Sequence, residues 1–150
     1  MARVVIVYVS RGGTTERMAG FIAEGVRISG HEVELKKSTE IESERDLSGY
    51  EGYIFGCPTE NLDIPPAFKA FLSIAEKADL AGKVGGAFSS RAHPSSGDGA
   101  AADRLFEVME TTFRMRMSNL GPFNLEGKAM DGAEGMHACQ DYGKSIGAML

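Results

Sequence analysis

The apolar positions of this chain fall into short continuous runs that alternate with amphipathic segments. The run Arg3–Val9 is rich in β-branched residues, which is typical of a strand buried on both faces. From Thr15 to about Ile28 the apolar residues recur at helical spacing, and Gly30 closes the segment. The N-terminal part of the chain therefore predicts a central strand followed by an amphipathic helix.

The same alternation continues to the C-terminus. Further strands are predicted at His31–Lys37, Tyr53–Gly56 and Lys83–Ser89, and a last strand within Met115–Leu125, interrupted near Gly121–Pro122. Further helices are predicted from Pro65 and Pro66 onward, over Gly99 to about Phe113, and over Ala133–Leu150. This order predicts a doubly wound α/β fold, with a five-stranded parallel sheet and helices on both faces. The polar run Ser38–Leu47 is expected to be a solvated connection.

Length and composition narrow the class of protein. A chain of 150 residues without an interdomain linker predicts one domain over residues 1–150. No apolar run is long enough to span a bilayer, and no secretory signal is visible, so we expect a cytoplasmic protein. The two cysteines are too few for a disulfide framework. The formal net charge of −5 argues against nucleic acid and anionic membranes as partners, and permits a basic protein partner.

The connection at residues 10–15 carries the strongest chemical signal, because a buried strand delivers hydroxyls and glycines to a helix N-terminus. The first N–H groups of a helix lack internal partners and attract anions. Gly12 and Gly13 permit a tight turn and a close approach to the anion. Ser10, Thr14 and Thr15 add hydroxyl donors, and Arg11 either neutralises the anion or points to solvent; these six residues predict a phosphate site.

Other nucleotide-binding motifs do not fit this connection. It lacks the lysine and spacing of GxxxxGK followed by Ser or Thr, and it lacks GxGxxG. No acidic residue ends a clear second strand to hold a ribose. A magnesium-binding receiver domain needs acidic residues where this chain has Ser10 and Cys57. A terminal phosphomonoester therefore remains, and no metal site is predicted.

Three loops at the predicted carboxyl ends of the strands resemble those of the flavodoxin family: Ser10–Thr15, Cys57–Pro65 and Ser89–Gly99. The first matches the family's (Ser/Thr)-x-Thr-Gly-x-Thr phosphate motif in register, except that Gly12 replaces a hydroxyl residue. The second resembles Gly-(Ser/Ala)-Pro-Thr-x-Asn, and the third resembles the family's Ser/Gly-rich loop more loosely. The resemblance spans nearly the whole chain.

The resemblance implies a sheet of strand order 2-1-3-4-5 and non-covalent binding of FMN. It places the phosphate on the first loop and the isoalloxazine ring between the second and third. The implied cofactor-binding residues are Ser10, Arg11, Gly12, Gly13, Thr14, Thr15, Pro58, Thr59, Glu60, Asn61, Leu62, Ser89, Ser90, Arg91 and His93. No catalytic acid or base is implied, because the redox chemistry belongs to the cofactor.

The chain departs from the family in its aromatic residues. Flavodoxins usually stack Trp or Tyr on the flavin, whereas this chain has no Trp and its four tyrosines lie outside these loops. Leu62 and His93 are the flanking candidates, although His93 is equally consistent with a simple surface position. The family's glycine after the second-loop turn is also missing, and Asn61 is the residue there that best tolerates left-handed geometry.

Two functions follow from the resemblance. The first is a small electron carrier that exchanges electrons with redox partner proteins, as a monomer or a weak homo-oligomer. The alternative is an FMN-dependent NAD(P)H:quinone-type reductase, since one fold hosts both roles and an uncovered flavin face would admit a substrate. A flavin-sensing module and a subunit of a larger redox complex are further alternatives.

Cys57, Cys139 and the methionines are expected to pack in the core.

Overall fold

The computed structural model describes residues 1–92 and 100–150. Its elements in chain order are β1 (Arg3–Tyr8), α1 (Thr14–Ile28), β2 (Glu32–Lys37), β3 (Gly52–Pro58), α2 (Pro66–Ala75), β4 (Val84–Arg91), α3 (Ala101–Glu107), β5 (Arg116–Met117), β6 (Phe123–Glu126) and α4 (Ala133–Gly147). The predicted alternation of strands and helices is confirmed. Among the described residues, no helix combines the length and apolar composition needed to cross a membrane.

The strands form one parallel sheet of order β2-β1-β3-β4-β5, as predicted. The last predicted strand is divided into β5 and β6, and both pair with β4. β5 lies beside Val84 and Gly85, whereas β6 lies beside residues 88–91. Residues 118–122 lie between the two pieces, and Pro122 has no N–H to donate to a ladder. The predicted interruption near Gly121–Pro122 is therefore confirmed.

The sheet separates two hydrophobic layers. Successive side chains of β1 point to opposite faces, so Val5 and Val7 pack with α2 and α3 whereas Val4 and Ile6 pack with α1 and α4. Helices α1 and α4 also lie very close together. A Cβ at Gly143 would collide with the Ile22 carbonyl group, so only glycine permits this spacing. This packing holds α1, and hence its N-terminus, firmly against the sheet.

The connection Ser38–Leu47 corrects one prediction. Its charged residues are largely exposed, but Ile41 and Leu47 are 3% and 1% exposed and belong to the layer beneath α2. Ser38 is also buried. Two short 3₁₀ turns, Ser38–Glu40 and Glu44–Leu47, shape the segment. The expectation of a solvated connection was wrong at these positions, because Ile41 and Leu47 anchor the segment to the core.

The third helix differs from the prediction in its ends. The α-helical part begins at Ala101 and ends at Glu107, after which Val108–Thr112 forms a π-helical turn. The predicted start at Gly99 lies outside the described residues.

The expected core positions of Cys57 and Cys139 are confirmed, since both are fully buried. Burial raises the pKa of both thiols, to about 12 for Cys139.

Candidate functional site

The first loop turns sharply after β1. Gly12 and Gly13 have φ values of 71° and 90°, which L side chains rarely adopt. A Cβ built on either glycine meets nothing within 4 Å, so the backbone conformation, not space, requires glycine here. Within the described ranges, the N–H groups of Gly12, Gly13 and Thr15 have no hydrogen-bond acceptor. These donors at the N-terminus of α1 form the kind of concavity that binds anions.

The three hydroxyls of this loop play different roles. The Ser10 Oγ accepts a hydrogen bond of 3.2 Å from the Glu16 N–H, one of the N–H groups in the first turn of α1. Thr15 is fully buried, and its Oγ1 lies 2.8 Å from the Ser90 Oγ at the end of β4. Thr14 lines the cavity described below. Ser10 and Thr15 therefore fix the shape of the loop, while Thr14 lies where a ligand would contact it.

The second loop is a two-residue hairpin turn. Glu60 and Asp63 exchange two backbone hydrogen bonds of 2.9 Å around Asn61 and Leu62, whose φ values are 51° and 62°. This type I′ geometry suits Asn followed by Gly, and a leucine in it is strained. Leu62 is nevertheless 46% exposed, so core packing does not explain its conformation. Strain of this kind concentrates at functional sites.

Neighbouring helices hold this turn in place. Lys69 on α2 contacts the Asp63 Oδ2 at 3.0 Å, and Arg104 on α3 donates to the Leu62 carbonyl at 3.3 Å. The Lys69 ammonium and then the Ile64 N–H lower the pKa of Asp63. The turn is therefore anchored from both sides by charged groups outside the cavity.

The end of β4 joins the second loop to α3. The Thr59 N–H donates to the Ser90 carbonyl at 2.7 Å, and the Thr59 Oγ1 accepts from the Ala101 N–H at 3.0 Å. The Ser89 Oγ accepts from the Ala102 N–H, also at 3.0 Å, and lies 2.7 Å from the Asn124 amide. Thr59 and Ser89 thus satisfy the first N–H groups of α3. Ser89 is fully buried, and the predicted contact residue His93 lies outside the described residues.

A cavity of about 270 Å³ lies between the three loops. Its lining residues are Arg11, Thr14, Pro58, Thr59, Glu60, Ser90, Arg91, Ala92 and Gly127. The structure thus brings together seven of the residues assigned by the resemblance, while Asn61 and Leu62 lie at the exposed turn beside them. Gly127 was missed, because its place depends on the pairing of β6 with β4, which no local pattern encodes. We call this space the inner cavity.

An ion pair at the inner cavity links the first loop to the second loop. The Arg11 Nη1 lies 3.3 Å from the Glu60 Oε1, although the Arg11 side chain is 70% exposed. The Glu60 Oε2 is buried and has no hydrogen-bond partner in the part of the chain that the structure describes. A buried acceptor without a donor is costly, so a ligand N–H would be stabilised there. Within residues 1–92 and 100–150, no three His, Cys, Asp or Glu side chains group as a metal site requires.

Comparison with known sequences identifies the family. A family model described as a flavodoxin domain matches residues 5–118. An NAD(P)H dehydrogenase (quinone) of Cupriavidus metallidurans is 29% identical, over 85% of this chain and 75% of that protein. A flavodoxin of Clostridium saccharobutylicum is 37% identical, over 59% of this chain and 55% of that protein. Relatives with both names therefore share this sequence pattern.

Solved structures agree with the sequence comparison. A flavodoxin from the domain Archaea superposes with a TM-score of 0.84 at 20% identity, covering 98% of this chain and 97% of that one. The oxidised Flavodoxin 1 of Bacillus cereus gives a TM-score of 0.83 at 26% identity, covering 99% of both chains. The sheet order, the family match and these superpositions agree, and the chain belongs to the flavodoxin family.

Proposed function

We propose that this chain binds FMN non-covalently and carries electrons between redox partner proteins. The observation that carries the proposal is the inner cavity beside the first loop: among the described residues, the Glu60 Oε2 at this cavity has no donor, and amide groups of the adjoining loop have no acceptor. FMN presents a phosphate and a ring imide N–H, which complement those two groups. The residues present therefore fit this cofactor.

The first loop would hold the phosphate. The N–H groups of Gly12, Gly13 and Thr15 have no acceptor within residues 1–92 and 100–150 and could donate to it, and Thr14 lines the inner cavity. The Arg11 guanidinium adds positive charge at the same rim. Hydrogen bonds to a charged group contribute roughly 1.5–3 kcal/mol each, so several of them make the phosphate a major source of affinity.

The second loop and the end of β4 would frame the ring. Glu60 would accept the imide N–H at its buried Oε2, and Pro58, Thr59, Ser90 and Arg91 would line the remaining walls. Asn61 and Leu62 would border the ring from the exposed turn, and Ser89 would support α3 behind it. Once bound, the flavin supplies reversible uptake of one or two electrons. We also propose that His93 belongs to this site.

The partners would be proteins with a basic docking surface. The chain has a formal net charge of −5, and opposite charge on a partner accelerates encounter. A cytoplasmic location suits the two free cysteines, which stay reduced in that compartment.

A second candidate function is an FMN-dependent NAD(P)H:quinone-type reductase. The relative from Cupriavidus metallidurans carries the name NAD(P)H dehydrogenase (quinone) and covers 85% of this chain. The exposed Leu62 stands at the second-loop turn, where a stacking ring would otherwise cover the flavin. A leucine leaves more of the ring face open to a substrate.

One experiment separates these functions. The protein is saturated with FMN and reduced stepwise without oxygen while its visible spectrum is recorded, and NAD(P)H oxidation with a quinone acceptor is measured in parallel. The carrier predicts two resolved one-electron steps and NAD(P)H oxidation no faster than with free FMN. One two-electron step with rapid NAD(P)H oxidation supports the reductase instead. If no FMN binds, both functions are excluded.

A further inference from the structure

The second-loop turn, Glu60–Asp63, keeps an unfavourable backbone conformation at an exposed position. Leu62 has a φ of 62°, which costs a leucine free energy, and its side chain is 46% exposed. A strained conformation persists only where the surrounding structure holds it. The next core residue along the chain is Ile64, which is 5% exposed. Contacts other than burial of Leu62 therefore hold the turn.

A cavity of about 380 Å³ lies beside this turn, between α2 and α3. Asp63 lines it together with Lys69 of α2 and Arg104 of α3. Apolar side chains of both helices, among them Leu72 and Phe113, line the rest of the cavity. On this side, charged side chains rather than a packed apolar surface meet the turn.

Lys69 and Arg104 reach the turn from two different helices. The Lys69 Nζ lies 3.0 Å from the Asp63 Oδ2, and the Arg104 Nε lies 3.5 Å from the Asp63 Oδ1. The Arg104 Nε also donates a hydrogen bond of 3.3 Å to the Leu62 carbonyl, so it contacts the strained residue itself. Arg104 therefore binds both the strained residue of the turn and the residue that closes it.

The same turn fixes the direction of Glu60. Glu60 and Asp63 exchange two backbone hydrogen bonds of 2.9 Å, so the backbone of Glu60 moves with that of Asp63. The Glu60 Oε2 is buried, and it has no hydrogen-bond partner within residues 1–92 and 100–150. A ligand N–H in the inner cavity reaches this oxygen only while the turn keeps its shape. The contacts of Arg104 are thus linked through the turn to the ligand acceptor.

We propose that Arg104 is a positioning residue for flavin binding, which holds the strained second-loop turn from outside the inner cavity and so keeps the Glu60 carboxylate directed at the ligand. The inference rests on the proposed function for its ligand, and it adds a residue that does not line the inner cavity. A pre-organised turn favours binding, because less ordering is needed when the ligand arrives. The Arg104 side chain is 60% exposed and that of Asp63 38%, so the expected effect is modest.

Fluorescence titration of the flavin-free protein with oxidised FMN and with riboflavin tests this proposal. We expect Arg104→Gln to raise both Kd values by about fivefold, which corresponds to about 1 kcal/mol. The factor should be the same for the two flavins, because the substitution affects the ring end of the site and not the first loop. Arg27→Gln, at an exposed position of α1 that lines neither cavity, removes the same charge and should leave both Kd values within about twofold.

Leu62→Gly separates positioning from a general effect of charge. Glycine adopts a positive φ without strain, so the turn no longer depends on Arg104 to keep its shape. In the Leu62→Gly background, Arg104→Gln should therefore change each Kd by less than about twofold. The same fivefold effect in both backgrounds would show that Arg104 does not act through the strained turn, and would overturn the proposal.

Amide hydrogen exchange of the flavin-free protein examines the turn without any ligand. The Asp63 N–H donates to the Glu60 carbonyl, and it should exchange about fivefold faster in Arg104→Gln but at an unchanged rate in Arg27→Gln. The proposal is overturned if this exchange does not change, or if the Kd values of a protein that binds FMN do not change. If the unsubstituted protein binds no FMN while the exchange still responds, the proposed function is contradicted and the hold of Arg104 on the turn stands.

Discussion

At the scale of single residues, the site depends on backbone conformations that most side chains avoid. Gly12 and Gly13 adopt them without strain, and N–H groups of the first loop have no acceptor among the residues that the structure describes. Leu62 adopts one with strain, in a turn that Lys69 and Arg104 hold from outside. The glycines are visible in the sequence as a loop signature. The strained leucine is not, because its φ is imposed by the Glu60–Asp63 pairing around it.

Gly13→Ala should lower the free energy of unfolding by about 1 kcal/mol, because alanine resists a φ of 90°. The matched control is Gly20→Ala, within α1, where a Cβ also meets nothing within 4 Å. Alanine favours the helix, so the control should raise the free energy of unfolding by roughly 0.5–1 kcal/mol. Urea denaturation measures both. Equal effects of the two variants would contradict the conformational role of Gly13.

Leu62→Gly should raise the free energy of unfolding by roughly 0.5–1 kcal/mol, because it converts the turn to the favoured Asn-Gly form. Little burial is lost, since Leu62 is already 46% exposed. Leu120→Gly is the control, at an exposed leucine whose φ is not positive, and it should destabilise the protein. A loss of stability in Leu62→Gly as large as in the control would show that Leu62 is not strained.

At the scale of elements, the features that hydrophobic periodicity and loop motifs encode could be predicted from the sequence. The strand order, the first loop and the second loop follow from local patterns and from the family resemblance. Three features depend on tertiary contacts and were not predicted: the ion pair between Arg11 and Glu60, the approach of Gly127 to the inner cavity, and the burial of Ile41 and Leu47. Each joins segments distant in sequence, so no local pattern reports it.

The close packing of α1 on α4 gives a prediction at this scale. Gly143→Ala should lower the free energy of unfolding by about 1–3 kcal/mol or more, because the added methyl group meets the Ile22 carbonyl group and forces the helices apart. Gly20→Ala, within α1, is the control, since it also changes a helical glycine and a Cβ there meets nothing within 4 Å. Thermal and urea unfolding measure both variants. A Gly143→Ala protein as stable as the control would mean that the helices are less tightly packed.

At the scale of the whole molecule, the fold buries several ionisable tyrosines. Burial is the largest cause that raises the pKa of Tyr8, Tyr50 and Tyr142 to about 12, from an ordinary value of 10.0. Hydrogen bonds to the carboxylates of Glu16 and Glu34 add to the effect at Tyr8 and Tyr50. The unfolded chain therefore loses these protons at lower pH than the folded protein does.

Stability should consequently be intact below pH 10 and fall as the pH rises from about 10 toward 12, because the unfolded state binds fewer protons there. The urea midpoint recorded from about pH 8 to pH 11 measures this fall. Tyr142→Phe removes one of the shifted groups and should show a shallower pH dependence, although it is less stable at neutral pH. An unchanged slope in this variant would contradict the contribution of Tyr142.

The central claim is that the first loop binds the phosphate of FMN, and it is tested most directly by comparing FMN with riboflavin. Riboflavin has the same ring and sugar chain but no phosphate. Fluorescence titration of the flavin-free protein should give a Kd for FMN at least about 100-fold below that for riboflavin, because charge-assisted hydrogen bonds from the loop are lost without the phosphate. Equal affinity for the two flavins, or no binding of FMN, would contradict the account.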